Sequence, residues 1–364
     1  MTAMKPVLDL IIDANILFLL AFCFWKLVQT AVRASWLKHD FPAQLRLLKM
    51  ALVLTLVSPV LAYLAIVSSQ GFWPKTPITV SDIAVAAFLR GDIAIPAVEF
   101  EALLNTRGRW MDALVAGQLP WMTVVLALLT AGAFVHLVRS IRAIMNVQET
   151  LRRSFVWRRT KRVDIRISDT VFVPFAVRGL FRRHIVLPSN LVTEPRHMRF
   201  ILAHECQHVR DNDVEWELAF ELLRPLMFWN PAFFLWKRAF ERLRELSCDQ
   251  AVIIRRSIPF QEYTDCLLDF CERRVTGPAP RALHVAFFRS GAKCELMDRV
   301  MSLQNVAKQR HWASVPVLSL FLMLGVSLAA ASIRQPGDWS QDRLLLSSVV
   351  NLERFAAINR APFN

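Results

Sequence analysis

Residues 200–213, FILAHECQHVRDND, hold two histidines and a carboxylate within five positions. His204 and His208 stand at i and i+4, which sends both imidazoles off one helix face and lets each reach a single ion at about 2.0–2.1 Å. Glu205 is turned around the helix from that ion yet can touch a water bound to it, the place of a general base in metal-assisted hydrolysis. Chance alone supplies such a string in roughly one chain in a hundred of this length, so the motif needs a partner.

A catalytic zinc takes three protein ligands and leaves a fourth position open. The run RELSCDQA offers Glu245 as the third ligand, with Asp249 four residues later on the same helical face. Asp249 can accept the free N–H of a ligating histidine and fix its tautomer. A solvated charged face is the usual fate of helical Glu and Asp, but Leu246, Cys248, Ala251 and Val252 make this neighbourhood apolar. A donor for the oxyanion is also required. The chain has two tyrosines and Tyr63 lies in an apolar run, which leaves Tyr263 and His284 as candidates. For each taken singly, plain packing or a loop position is the commoner fate. Cys206 and Cys248 read as small apolar fillers on neighbouring faces, and Cys266 and Cys271 are off helical register for a shared ion, so no cysteine is assigned.

Elements must hold these residues in place. Val163–Ile167, Val171–Phe175 and His184–Leu187 read as short strands, the first two around a Ser168-Asp169 turn and the third offering an edge for an extended substrate. A helix opens at Glu194-Pro195 and runs to about Val209, and a second covers Asp213–Met227 and breaks at Trp229-Asn230-Pro231. A third, long amphipathic helix carries Phe234, Leu235, Ala239, Leu243, Leu246 and Val252 through Ile254. The expected order is α+β, with the motifs on helices.

An apolar fraction of 54% is too high for two soluble domains in 364 residues. Four runs, 7–28, 50–69, 119–138 and 312–332, are long enough to cross about 30 Å of hydrocarbon. The first reads as an anchor and not a cleaved signal, because Asp9 and Asp13 sit inside it and no clear cleavage site follows. Arg139 to Arg162 carries eight basic residues against Glu149 alone, whereas 70–120 carries four against five acidic ones. Basic flanks stay in the cytoplasm, so the N-terminus is expected outside and 139–311 inside. Cysteines agree, since five of six fall in the proposed cytosolic part and the outer segments have none. The net charge is +14, and its densest basic run abuts a membrane end, which points to anionic headgroups and away from direct nucleic-acid binding.

LAHECQHVRDND, FWNPAFFLWKRAFERLRELSCDQAVI and the preceding GLFRRHIVLPSNL resemble the membrane metallopeptidases of the BlaR/MecR type, signal transducers of β-lactam resistance, over about residues 139–310. The resemblance implies a gluzincin-type protease with His204, His208 and Glu245 as ligands of one Zn2+ ion and Glu205 as general base. The expected architecture is therefore four transmembrane helices plus a cytosolic α+β zinc metallopeptidase domain in a bacterial cytoplasmic membrane. Its parts are a membrane region 1–138 with an extracytoplasmic loop 70–118, the protease domain 139–311, the fourth span 312–332 and a short external tail 333–364. Family members that sense antibiotics carry an external penicillin-binding domain; residues 333–364 contain no lysine and so no Ser-x-x-Lys acylation motif. The expected partners are a protein substrate such as a transcriptional repressor, membrane lipid and, as an open option, a homodimer mate. The competing readings are a constitutive quality-control metalloprotease and a non-catalytic signalling scaffold.

Overall fold

In a computed structural model of the chain, the structure describes residues 4–68, 80–106, 109–110, 113, 120–179, 181–276, 292–304, 325 and 341–360. Among the described residues, three helices are long and apolar enough to cross a membrane: α1 (Met4–Ala34), α2 (Phe41–Ser68) and α5 (Pro120–Arg153). They cover the first three expected spans with different ends. α2 begins nine residues before Met50 and α5 continues to Arg153, because a helix propagates through polar residues after it leaves the hydrocarbon. The expected span 312–332, apart from residue 325, and His284 lie outside the described residues.

The chain divides into two compact units. One comprises Met1–Lys26, Met50–Leu129 and Val317–Asn364. In it, α3 (Val80–Leu89) and α4 (Ala97–Leu104) share a core with α11 (Gln341–Arg360), built on Val85, Ala97, Phe100, Leu346 and Val350. Glu353 accepts from the Val98 N–H at the start of α4, and Arg354 pairs with Glu101 at 3.1 Å.

The other unit comprises Leu27–Lys49 and Thr130–Pro316. Its sheet has the order β1-β2-β4-β3, from Phe155–Arg159, Val163–Ser168, Arg183–Pro188 and Phe175–Arg178. β4 lies parallel to β2 and antiparallel to β3, so it is central, and Ile185, Val186 and Leu187 are fully buried. The edges are β1 and β3, which corrects the expectation of a free edge at 184–187. β3 starts at Phe175 and not at Val171 because Pro174 has no N–H to give a ladder. Gly179 turns β3 into β4: its N–H donates to the Arg182 carbonyl at 2.8 Å, and a Cβ there would meet His184 Nε2 at 2.6 Å.

Four helices of this unit follow the sheet: α6 (Pro195–Arg210), α7 (Asp213–Met227), α8 (Pro231–Arg256) and α9 (Phe260–Thr276), with α10 (Ala292–Gln304) beyond. Pro195 fits the first turn of α6, where an N–H would be unbonded. Met198, Ile201 and Val209 of α6 pack with Ile165, Ile185 and Leu187 of the sheet. α8 starts at a cap in which the Asn230 side chain accepts from the Ala232 N–H at 2.9 Å; such a cap contributes about 1 kcal/mol. Phe233, Trp236 and Phe240 recur at helical spacing and are fully buried, and Phe220 of α7 sets its ring edge-on to Phe233 and tilted against Phe240. That aromatic layer fixes the rotation of α8, and with it the direction in which Glu245 leaves.

Candidate metal centre

α6 places the rings of His204 and His208 4.7 Å apart and nearly perpendicular, with their Nε2 atoms separated by 3.1 Å. The Glu245 carboxylate of α8 closes the third side, Oε2 lying 3.5 Å from His204 Nε2 and Oε1 3.7 Å from His208 Nε2. Donors bound at about 2.0–2.1 Å to one tetrahedral ion stand roughly 3.3–3.4 Å apart. The observed separations bracket that value, so this donor set fits one small cation.

Each histidine is also held from behind. His208 Nδ1 lies 2.9 Å from Asp213 Oδ2. His204 Nδ1 lies 3.2 Å from Asp249 Oδ1 and 3.0 Å from the Tyr263 hydroxyl. A carboxylate on Nδ1 keeps the proton there and leaves the Nε2 lone pair for a metal. Asp213 reaches His208 because Asn212 takes up the left-handed conformation, φ 57°, and turns α6 sharply into α7. Asparagine tolerates that region far better than most residues.

Two guanidinium groups neutralise the acids. Arg299 of α10 donates from Nε and Nη2 to the Asp249 carboxylate at 2.6 and 2.7 Å, and its Nη1 lies 3.3 Å from Glu245 Oε2. Arg244 donates to Glu245 Oε1 at 2.8 Å and also pairs with Glu217. Burial alone would raise the Asp249 carboxyl, but Arg299 outweighs it and holds the group at about 2. Glu245 is kept well below the carboxylate range, its burial overcome by Arg244 and then Arg299. Burial would lower both histidines. The Cys248 sulfur, Tyr263 and Asp249 instead carry His204 well above the imidazole range, and Cys248 and Asp213 lift His208 to about 10. A pocket that holds protons this strongly without a metal is one built for positive charge.

Glu205 is buried on the same helix and lies within the field of Arg244. Tyr263 is fully buried, and its hydroxyl donates to Asp249 Oδ1 at 2.7 Å on the Nδ1 side of His204. It stands on the Nδ1 side of the imidazole, opposite the Nε2 atom that faces Glu245. Cys248, read as a filler, has a more direct position. His204, His208 and Cys248 each offer a ligand atom within 4.8 Å of one another, and Sγ is 3.4 Å from His204 Nδ1. The two donor sets share the histidines, and Glu245 is the member that faces both Nε2 atoms.

Asp213, Arg299 and Lys49 escape a reading by spacing. Asp213 was in plain view in RDND, where an asparagine before an aspartate signals a left-handed turn. Lys49 donates to Asp213 Oδ1 at 2.6 Å and to the Asp211 carbonyl at 2.8 Å from 164 and 162 positions away. Arg299 comes from 50 residues beyond Asp249, with no local pattern to mark it.

A two-histidine helix, a carboxylate from a second helix and a carboxylate behind each ring define a metallopeptidase-type centre. The chain belongs to the BlaR1 peptidase M56 family, whose profile matches residues 50–303. It is therefore a metallopeptidase by family, and its apolar helices make it a membrane-associated one. It is also similar to the methicillin resistance mecR1 proteins of Staphylococcus aureus, strain Mu50 among them, and Staphylococcus epidermidis, with 27% identity over 95 residues. That stretch is 26% of this chain and 16% of the length of those relatives.

Proposed function

We propose that the chain is an integral-membrane zinc endopeptidase of gluzincin type that cleaves a cytosolic or membrane-proximal protein in a regulated signalling step. One observation carries the reading: three donor atoms, His204 Nε2, His208 Nε2 and a Glu245 carboxylate oxygen, converge at 3.1–3.7 Å with both Nδ1 atoms backed by carboxylates. His204, His208 and Glu245 hold the ion, and Asp249 with Asp213 fixes the ring tautomers. A zinc ion held there would supply Lewis acidity, enough to bring the pKa of a water to about 7. Glu205 takes the proton of the attacking water and delivers it to the leaving amine. Tyr263 orients His204 through its bond to Asp249. The oxyanion donor remains His284 or a group supplied with the substrate.

The shared core of α3, α4 and α11 supports the proposed topology. Residues 80–104 and 341–360 can pack together only from one side of the membrane, so a chain that crosses once at α5 must cross back before 341. The apolar run 312–332 is the segment suited to that return. The basic flank after α5 supports a cytoplasmic metallopeptidase domain. The resemblance to signal transducers of β-lactam resistance makes a regulatory substrate such as a repressor the reading to test first.

Metal content and cleavage of a panel of unstructured protein substrates, compared between the wild type and Glu205→Gln, test the proposal. The expected result is close to one zinc per chain in both and a loss of roughly 10²-fold or more in turnover for the variant, the range a positioned proton-transfer group supplies. Equal turnover would remove Glu205 from the mechanism, and a metal-free wild type that stays active would sink the zinc reading.

A further inference from the structure

The corner between α7 and α8 is built of residues suited to lipid. Pro225 to Trp236 is twelve residues without a charge. Leu222, Leu226, Trp229, Phe234 and Leu235 on its outer faces are all exposed large apolar side chains. Exposed apolar residues scattered singly need no explanation, but a contiguous group at the tip of a helical hairpin marks a surface meant for an apolar partner.

The hairpin's packing identifies that partner. α7 runs antiparallel along α5, with Glu221 beside Ser140, and Phe228 against Gly132 and His136. The contact at Gly132 is intimate: a Cβ there would lie 2.6 Å from the Phe228 ring, so only glycine lets the ring seat. Gly132 lies inside the apolar stretch of α5, seven residues before Arg139, its first basic residue after that stretch. Seven residues of helix rise about 10 Å, which sets the tip of the hairpin at that depth past the basic boundary. The uncharged arms on either side of Asn230 are of matching length. Charges reappear just where the arms leave this layer, and there they are compensated: Glu221 pairs with Arg224 and Lys237, each at 3.0 Å. Neutralising such charges next to the apolar layer limits their desolvation cost.

We infer that the α7–α8 corner is a re-entrant hairpin that inserts its apolar tip into the bilayer leaflet on the domain's own side, beside α5. The inference rests on α5 being a membrane span. It also deepens the proposed function, because α8 is the helix that carries Glu245. Glu245 stands nine positions on from Trp236, so the proposed metal centre lies at most about 14 Å along α8 from the lipid-facing tip segment. The substrate bond it cleaves then lies close to the membrane surface.

The test uses the full chain in vesicles of phosphatidylcholine and phosphatidylglycerol, with an environment-sensitive fluorescent amino acid placed singly at Leu226, Trp229 or Leu235. Leu128 on α5 and Lys161 beyond it serve as lipid and aqueous references. The expected result is that lipids brominated on the acyl chain quench all three tip probes to the same fractional loss as at Leu128, while iodide quenches Lys161 and spares the tip. Iodide quenching at the tip with Leu128 still quenched by lipid would overturn the hairpin and leave the span reading intact. Shielding of the tip from both quenchers would also overturn it, in favour of a protein partner. Iodide quenching at Leu128 would remove the span reading and the hairpin together. Labelling of the unsubstituted protein with a bilayer-partitioned diazirine gives a check free of any folding defect: adducts are expected in 222–235 as well as in α5, and adducts in α5 alone would overturn the insertion.

Discussion

Arg299 makes two short hydrogen bonds to Asp249 and stands beside Glu245, so one guanidinium faces a proposed ligand and the acid behind a ligating histidine. Asp249 is fully buried. Removing one partner of a buried ion pair leaves an uncompensated charge and costs about 3–5 kcal/mol. Arg299→Met is therefore expected to destabilise the metal-free protein by an amount of that order. The metal-loaded protein should lose less, since the cation takes over part of the neutralisation of Glu245. Thermal unfolding in detergent with and without zinc separates the two, and an equal loss in both states would show that Arg299 does not serve the centre. The residue scale also shows what helical spacing can foretell. His204, His208, Glu245 and Asp249 were all readable because i and i+4 partners on a helix must share a face. Tyr263 was singled out through the scarcity of tyrosines, a statistical ground that carries no direction, and its hydroxyl points behind His204.

At the scale of elements, the centre depends on how α2 meets the turn between α6 and α7. Lys49 of α2 holds both Asp213 and the Asp211 carbonyl, and Asp213 in turn holds His208. Lys49→Met leaves the buried Asp213 carboxylate with one fewer partner and frees it to shift away from His208. Loss of such outer support lowers metal affinity by about 10–100-fold, and the lower end is expected here because Asp213 itself is still present and only its anchoring by Lys49 is lost. Competition with a chromogenic chelator measures this, with Lys49→Arg expected to recover most of the affinity; an unchanged affinity in Lys49→Met would make the contact purely structural. The sheet explains why element prediction succeeded unevenly. β2 and β4 bury alternate or continuous apolar side chains and were legible by pattern. β1 is exposed at all five positions and offers no periodicity, and β3 was displaced by Pro174, whose effect on the ladder the apolar run Val171–Phe175 conceals.

For the whole molecule, the apolar runs lead to four expected spans, the first three of which coincide with helices long and apolar enough to cross a membrane, yet they are silent on the α7–α8 corner. Its twelve uncharged residues are too few to span a bilayer, and their depth becomes visible only when Phe228 is seen against Gly132. Function at this scale turns on the exchange of protons for metal. Without metal, His208 is lifted to about 10 from an ordinary value of 6.5, and His204 moves in the same direction. A group whose pKa is higher in the folded state gives stability that is fully present below its unfolded pKa and is lost as pH rises through the folded one. The metal-free protein should therefore lose this contribution as pH climbs from about 6.5 towards 10. A metal ligand must be deprotonated, so zinc displaces these same protons and binds more tightly as pH rises through that window, by up to about tenfold per pH unit for each proton released. The two are one linkage seen from either state: the metal-free protein loses stability with rising pH while the zinc-loaded protein, whose histidines carry no such protons, does not, so the difference in melting temperature between zinc-loaded and chelator-treated protein is expected to widen steadily between pH 6.5 and 8.5. Melting curves in detergent at several pH values across that range measure it, with direct zinc titration in two buffers of different ionisation enthalpy counting the protons released. A constant difference with no proton release would mean that His204 and His208 are already neutral in the metal-free protein, and the carboxylates behind them would then be read as orienting the rings without charging them.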